Sequence, residues 1–216
     1  MQTKIKYRAV LIADVVGSTL TPRLRSLLAE RVRVVSRLEA AAGLIRLPYA
    51  ITAGDEIQAL GSKPEIMPEV ILDLRRRFRP LALRVGVGIG DVAGRLVGPV
   101  NRLTGEAFVS ARRALDSVKH TKAHRFEALT AFCSPDPRFD AMINTLYGLL
   151  DTLIGSVSEK QWETINAYLG EGRADAAARA LGINVSTVSR NLKRGYFWQM
   201  EETAATARKL LSERFD

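Results

Sequence analysis

The first 135 residues alternate short apolar runs with stretches of helical spacing, which restricts the chain to layers of strand and helix packed together. Tyr7 to Val16 is rich in Val, Ile, Leu and Ala and too short for an ordinary helix, so it reads as a buried strand ending in a Gly17-Ser18-Thr19 turn. Pro22 stands where a first helical residue belongs, with Ser18, Thr19 and Thr21 available as caps. From there Leu24, Leu27, Leu28, Val32, Val35 and Leu38 recur at helical spacing until Gly43. Leu44 to Thr52 and Glu56 to Leu60 are apolar segments joined by Ala53-Gly54-Asp55, a connection short enough for a tight antiparallel hairpin with Asp55 at its tip. Helical spacing returns from Glu65 to Phe78 and again from Gly105 to Val118; Leu81 to Gly90 and Arg125 to Phe132 read as further strands. The predicted order is β-α-β-β-α-β-α-β, an α+β arrangement whose βαββαβ core is an antiparallel sheet covered by helices on one face. Asp136 to Ile154 follows as a connecting helix, with a boundary near Gly155-Ser156.

Beyond that boundary the pattern is purely helical. Ser158-Glu159-Lys160-Gln161 opens a helix with a capping serine and a glutamine at its third position, and Trp162, Ile165 and Leu169 form its apolar face. Ala174 to Leu181 is short and alanine-rich, so its backbone can approach another helix closely, and Gly182 supplies the left-handed residue of a tight turn. Ala178, Gly182 and Val188 together carry the helix-turn-helix pattern. The next helix, Val185 to Arg194, places Val185, Val188 and Leu192 on one face and Ser186, Thr187, Arg190, Lys193 and Arg194 on the other. Those five side chains can donate to phosphates and base edges, and no acidic residue intervenes from Gly182 through Met200. The expected partner is double-stranded DNA; a helical hairpin for protein contacts and a solvated basic helix are the competing readings. Tyr196 to Phe215 is a last helix whose Phe197, Ala204, Leu211 and Phe215 would serve as core or as the seam of a homodimer, the latter favoured because such readers occupy paired half-sites.

The net charge of +9 favours a polyanionic partner. From Ser156 onward there are 9 Lys and Arg against 8 Asp and Glu, out of totals of 32 and 23, so most of the excess lies in front. Arg75, Arg76, Arg77 and Arg79 form its densest cluster, expected to be a solvated helix end. Cys133, the only cysteine, excludes an internal disulfide and reads as a small buried hydrophobe in a reducing compartment. Asp14 interrupts the apolar run near the start, and a cytoplasmic protein with no membrane partner is expected. His120 and His124 are four residues apart with no third ligand nearby, and read as surface residues.

Asp14 closes the first strand and Asp55 sits on the hairpin, positions that meet at the end of a split βαβ sheet. Paired carboxylates suit Mg²⁺, the cofactor these residues point to, and Gly17-Ser18-Thr19 before a helix offers backbone N–H groups to a phosphate. A metal-nucleotide site is the expectation, with strand-end and turn carboxylates that hold no ligand as the plain alternative.

Several motifs resemble known families. Asp14-Val15-Val16-Gly17-Ser18-Thr19, Gly54-Asp55-Glu56 and Arg84-Val85-Gly86-Val87-Gly88-Ile89-Gly90 resemble class III nucleotide cyclases, and Ala53-Gly54-Asp55-Glu56-Ile57 resembles the hairpin of GGDEF domains. Ser186-Thr187-Val188-Ser189-Arg190 resembles the helix-turn-helix of sigma-factor region four and of response regulators. The whole order, including Gly105-Glu106-Ala107-Phe108 and Ala111-Arg112, is similar to the SatD family. The resemblance implies a ferredoxin-like, cyclase-like palm over residues 1–135, a connecting helix over 136–157, and a helix-turn-helix unit with a C-terminal helix over 158–216. It also implies metal binding by Asp14 and Asp55 and nucleotide binding by Gly17, Ser18, Thr19 and Arg113. The chain departs from the cyclase pattern at Val109, where an asparagine would orient the ribose, and at Ile51 and near Arg102, where the base is selected. These losses favour a DNA-binding transcriptional regulator whose palm senses a nucleotide or metal, with a class III-like cyclase using Mg²⁺ as the alternative.

Overall fold

Strand β1 (Arg8–Val15) is buried from Ala9 to Val15, and that sets the architecture, because a strand enclosed on both faces requires a layer on each side. The computed structural model describes residues 6–17, 21–52, 54–119 and 128–215. β1 lies at the centre of a five-stranded sheet of order β2-β3-β1-β4-β5, formed with β2 (Ile45–Ile51), β3 (Ile57–Gly61), β4 (Leu83–Gly90) and β5 (Thr130–Cys133). It runs antiparallel to β3 and to β4, while β5 runs parallel to β4. β2 is an edge strand, which is why it tolerates Pro48.

Both faces of the sheet are covered, in contrast to the one-sided cover expected from the strand order. Ala9, Leu11, Ala13 and Val15 pack with α1 (Pro22–Ala41) and α2 (Met67–Arg77), while Val10 and Ile12 pack with Ala107, Ala111 and Leu115 of α3 (Glu106–Lys119). The extra helix changes the outcome: α3 leads from β4 to the parallel β5 and crosses the face that α1 and α2 leave open. It approaches very closely. A Cβ built on Gly86 would lie 2.4 Å from the backbone of Ala111 and Leu115, and one on Gly88 would lie 2.0 Å from the Ala107 carbonyl.

α1 begins at Thr21, whose hydroxyl accepts from the Leu24 N–H, with Pro22 at the first helical position. The arginine cluster at the end of α2 is only partly solvated. Arg75 is buried and forms an ion pair with Asp151 at 3.1 Å, donates to the Thr130 hydroxyl at 2.7 Å and bonds the Leu83 carbonyl, so it joins α2 to the sheet and to α4 (Pro137–Gly155). Cys133 is half-buried rather than enclosed. His120 and His124 lie outside the described residues, as do Ser18 and Thr19.

Beyond α4 come α5 (Glu159–Glu171), α6 (Ala174–Leu181), α7 (Val185–Arg194) and α8 (Phe197–Phe215). Ser158 and Gln161 cap α5 reciprocally, and Gly182 ends α6 at φ 65°. α8 was expected to offer a dimer seam, but Phe197, Ala204, Leu211 and Phe215 are buried within the chain. Phe215 packs edge-on against Tyr7 and Phe139, and Arg208 and Arg214 bond Glu69 and Asp136, each at 2.7 Å. Packing inside the chain therefore occupies that stripe. One cluster of buried side chains runs from the α1–α2 face of the sheet through α4 to α8. Among the described residues no helix is long and apolar enough to cross a membrane.

Candidate functional site

α7 divides its residues between core and solvent. Val188 and Leu192 are buried, and Asn191 donates to the Thr164 hydroxyl of α5 at 2.9 Å, which fixes the rotation of α7. Ser186, Arg190, Lys193 and Arg194 are exposed and Thr187 is half-buried. The Arg190 guanidinium donates to the Ser186 carbonyl at 3.3 Å and to the Thr187 hydroxyl at 3.2 Å, so it lies along the helix with its remaining N–H groups available. Arg190, Lys193 and Arg194 border a surface depression together with Tyr196, which holds a left-handed φ of 55° between α7 and α8. Tyr196 is an addition to the residues expected from the sequence. Its signal would have been an aromatic side chain one glycine beyond the Lys193-Arg194 pair, a combination suited to polyanion contact. Val185, expected on the buried face, is 46% exposed.

The front carboxylates meet a different environment. Asp14 is buried at the end of β1, and its Oδ2 contacts Lys119 Nζ at 2.8 Å and Arg84 Nη1 at 3.5 Å. One residue beyond the Ala13–Ile57 pairing, the ladder brings Glu56 beside it. Glu56 accepts two hydrogen bonds of 2.6 Å from the Arg112 guanidinium. Burial alone would raise the Glu56 carboxyl, but those bonds and one from Gln58 bring it below its usual value. Asp55 is half-buried on the hairpin. Gly17 turns the chain out of β1 at φ 80°.

Arg113, the expected phosphate ligand, does not join this group. It lies on the outer side of α3, 3.5 Å from Glu106. Helical geometry explains the exchange: with Ala107, Ala111 and Leu115 facing the sheet, Arg112 and Lys119 fall on one flank and Arg113 and Glu106 on another. The sequence signal for Lys119 was its spacing of seven from Arg112.

The residues present do not fit a Mg²⁺ centre. Asp14 Oδ1 and Asp55 Oδ2 are buried without a hydrogen-bond partner, which would suit a cation. Yet the other Asp14 oxygen is taken by an ammonium, and Glu56 is satisfied by Arg112. Lys119 and Arg84 supply the positive charge that a metal would bring, and a divalent ion beside them would be repelled.

The profile of the SatD family matches residues 7–197. No curated protein matches the chain. Among solved structures, a bacterial light-regulated adenylyl cyclase is similar at 14% identity over 60% of this chain and 77% of its own, with a TM-score of 0.38. A regulator of polyketide synthase expression from Bifidobacterium adolescentis is similar at 16% identity over 97% of this chain and 86% of its own, with a TM-score of 0.26.

Proposed function

This chain belongs to the SatD family, and from that premise we propose that it is a cytoplasmic DNA-binding transcriptional regulator with α7 as its recognition helix. The observation that carries the reading is the exposed face of Ser186, Arg190, Lys193 and Arg194 on a short helix whose opposite face is pinned by Val188, Leu192 and Asn191. A helix that enters a major groove needs this combination of rigid seating and a solvent-facing row of donors. In this reading residues 158–216 are a helix-turn-helix unit, with α6 and α7 joined at Gly182, and 136–157 are the connecting helix. Residues 1–135 are a ferredoxin-like palm, a reading supported by the strand order β2-β3-β1-β4 with β1 antiparallel to both neighbours. The palm serves regulation rather than turnover. A homodimer reading paired half-sites would use a surface other than the buried stripe of α8.

The test is selection of genomic fragments by the purified protein at several salt concentrations, with Arg190→Ala alongside. Wild type is expected to enrich discrete sites, and Arg190→Ala to lose about 1–3 kcal/mol of specific binding while keeping weak, salt-sensitive association. No enrichment by wild type would defeat the proposal. The cyclase alternative is opposed by the Lys119–Asp14 contact. Incubation with ATP, GTP, CTP and UTP in Mg²⁺ or Mn²⁺ is expected to yield no cyclic product; product that Asp14→Ala and Asp55→Ala abolish would reverse that conclusion.

A further inference from the structure

A cleft of about 750 Å³ opens between α1, the end of α2 and α5, away from both the palm carboxylates and the exposed face of α7. Arg31, Arg76, Arg77 and Arg79 line it, against Glu159 and Glu163. These guanidinium groups are incompletely neutralised. Arg76 and Arg77 share one carboxylate, that of Asp73, and the side chains of Arg76, Arg77 and Arg79 are only 16%, 32% and 30% exposed. Arg79 lies over the Trp162 ring at 5.4 Å and pairs with Glu159, which is 73% exposed and so held weakly enough for another anion to displace it.

Two side chains of the lining each carry a buried donor without an acceptor. Arg31 Nε and the indole Nε1 of Trp162 are both buried without a hydrogen-bond partner, although Trp162 is only 3% exposed and buried N–H groups are ordinarily satisfied. Cations in excess, two orphan donors and a volume within the usual range for small-molecule sites require the same complement, a compact group with several acceptor oxygens and at least two negative charges. We infer that the cleft binds a small molecule bearing a phosphoryl group, whose oxygens accept from Arg31 and Trp162 and take the place of Glu159 on Arg79.

The position of the cleft gives such a ligand a route to α7. α5 presents Glu159, Trp162, Glu163 and Asn166 to the cleft, while its Thr164 accepts the Asn191 hydrogen bond that fixes α7. A change in the seating of α5 is therefore passed to α7. That consequence rests on the DNA-binding reading; the binding itself does not.

Calorimetry on the full chain, without DNA, separates the two. Inorganic phosphate, inorganic pyrophosphate and citrate are titrated into wild type, Arg31→Gln, Trp162→Phe and Arg33→Gln, the last altering an exposed residue of α1 by the same charge. Pyrophosphate is expected to bind at one saturable site, with Arg31→Gln and Trp162→Phe each weakening it about tenfold or more and Arg33→Gln changing it less than about twofold. Thermal melts followed by circular dichroism show that each variant is folded. The inference is overturned by the absence of a saturable site, by equal losses in Arg31→Gln and Arg33→Gln, by citrate binding as tightly as pyrophosphate, or by a short DNA duplex displacing pyrophosphate stoichiometrically.

Discussion

Glu39 has no exposed surface, and its Oε2 accepts a hydrogen bond of 2.9 Å from the Tyr49 hydroxyl while its Oε1 has no partner. Burial pushes its carboxyl up to about 8, against the hydrogen bond from Tyr49; Asp73 adds to the rise and Arg77 opposes it. Between the ordinary value of 4.5 and about 8 the folded chain keeps a proton that the unfolded chain has released. Stability is therefore full below the lower value and is lost as the pH rises through the upper one. Glu39→Gln, which mimics the neutral form, is expected to stabilise the protein at pH 8 by on the order of 3 kcal/mol relative to its effect at pH 5, read from urea midpoints at both values. An equal effect at both pH values would mean that Glu39 is ionised in the fold. Asp151 presents the opposite case. Replacing it with Ala leaves the Arg75 guanidinium buried without its carboxylate, at an expected cost of about 3–5 kcal/mol in the same measurement. Neither role was legible in the sequence: Glu39 lies in an otherwise ordinary amphipathic helix, and Arg75 is one of four nearby arginines whose burial depends on which way α2 is turned.

At the scale of elements, the alternating glycines of β4 show how a local motif acquires a physical cause. Gly86 and Gly88 face α3, and small residues on both sides, Ala107 and Ala111 included, bring helix and strand backbones into contact. Gly88→Ala is expected to cost about 3 kcal/mol or more, because the added carbon meets helix backbone rather than a side chain that can turn away. A cost below about 1 kcal/mol would show that α3 can shift without penalty. Element order was legible because periodicity and punctuation agreed: Pro22, Gly43, Ser158 and Gly182 each stand at or beside a helix end. The choice between Arg112 and Arg113 was less legible, since both occupy one helical turn and only the rotation of α3 against the sheet separates them by flank.

Across the whole molecule, one cluster of buried side chains joins the α1–α2 face of the sheet to α8, and Phe215 returns to Tyr7 near the start of the described chain. Unfolding is expected to be a single cooperative transition, with tryptophan fluorescence from Trp162 and Trp198 and hydrogen exchange of β1 amides giving the same free energy. A lower value from fluorescence would show that the C-terminal helices melt on their own. Hydrophobic spacing, caps and turn residues act over a few positions, so the sequence sufficed for the strand and helix order and for the polar face of α7. The partners of charged groups depend on elements far apart in the chain, and they required the folded structure. Only there do Lys119 and Arg84 meet Asp14, α3 cover the second face of the sheet, and Arg31, Arg79 and Trp162 line one cleft, because each of those encounters is set by packing rather than by local spacing.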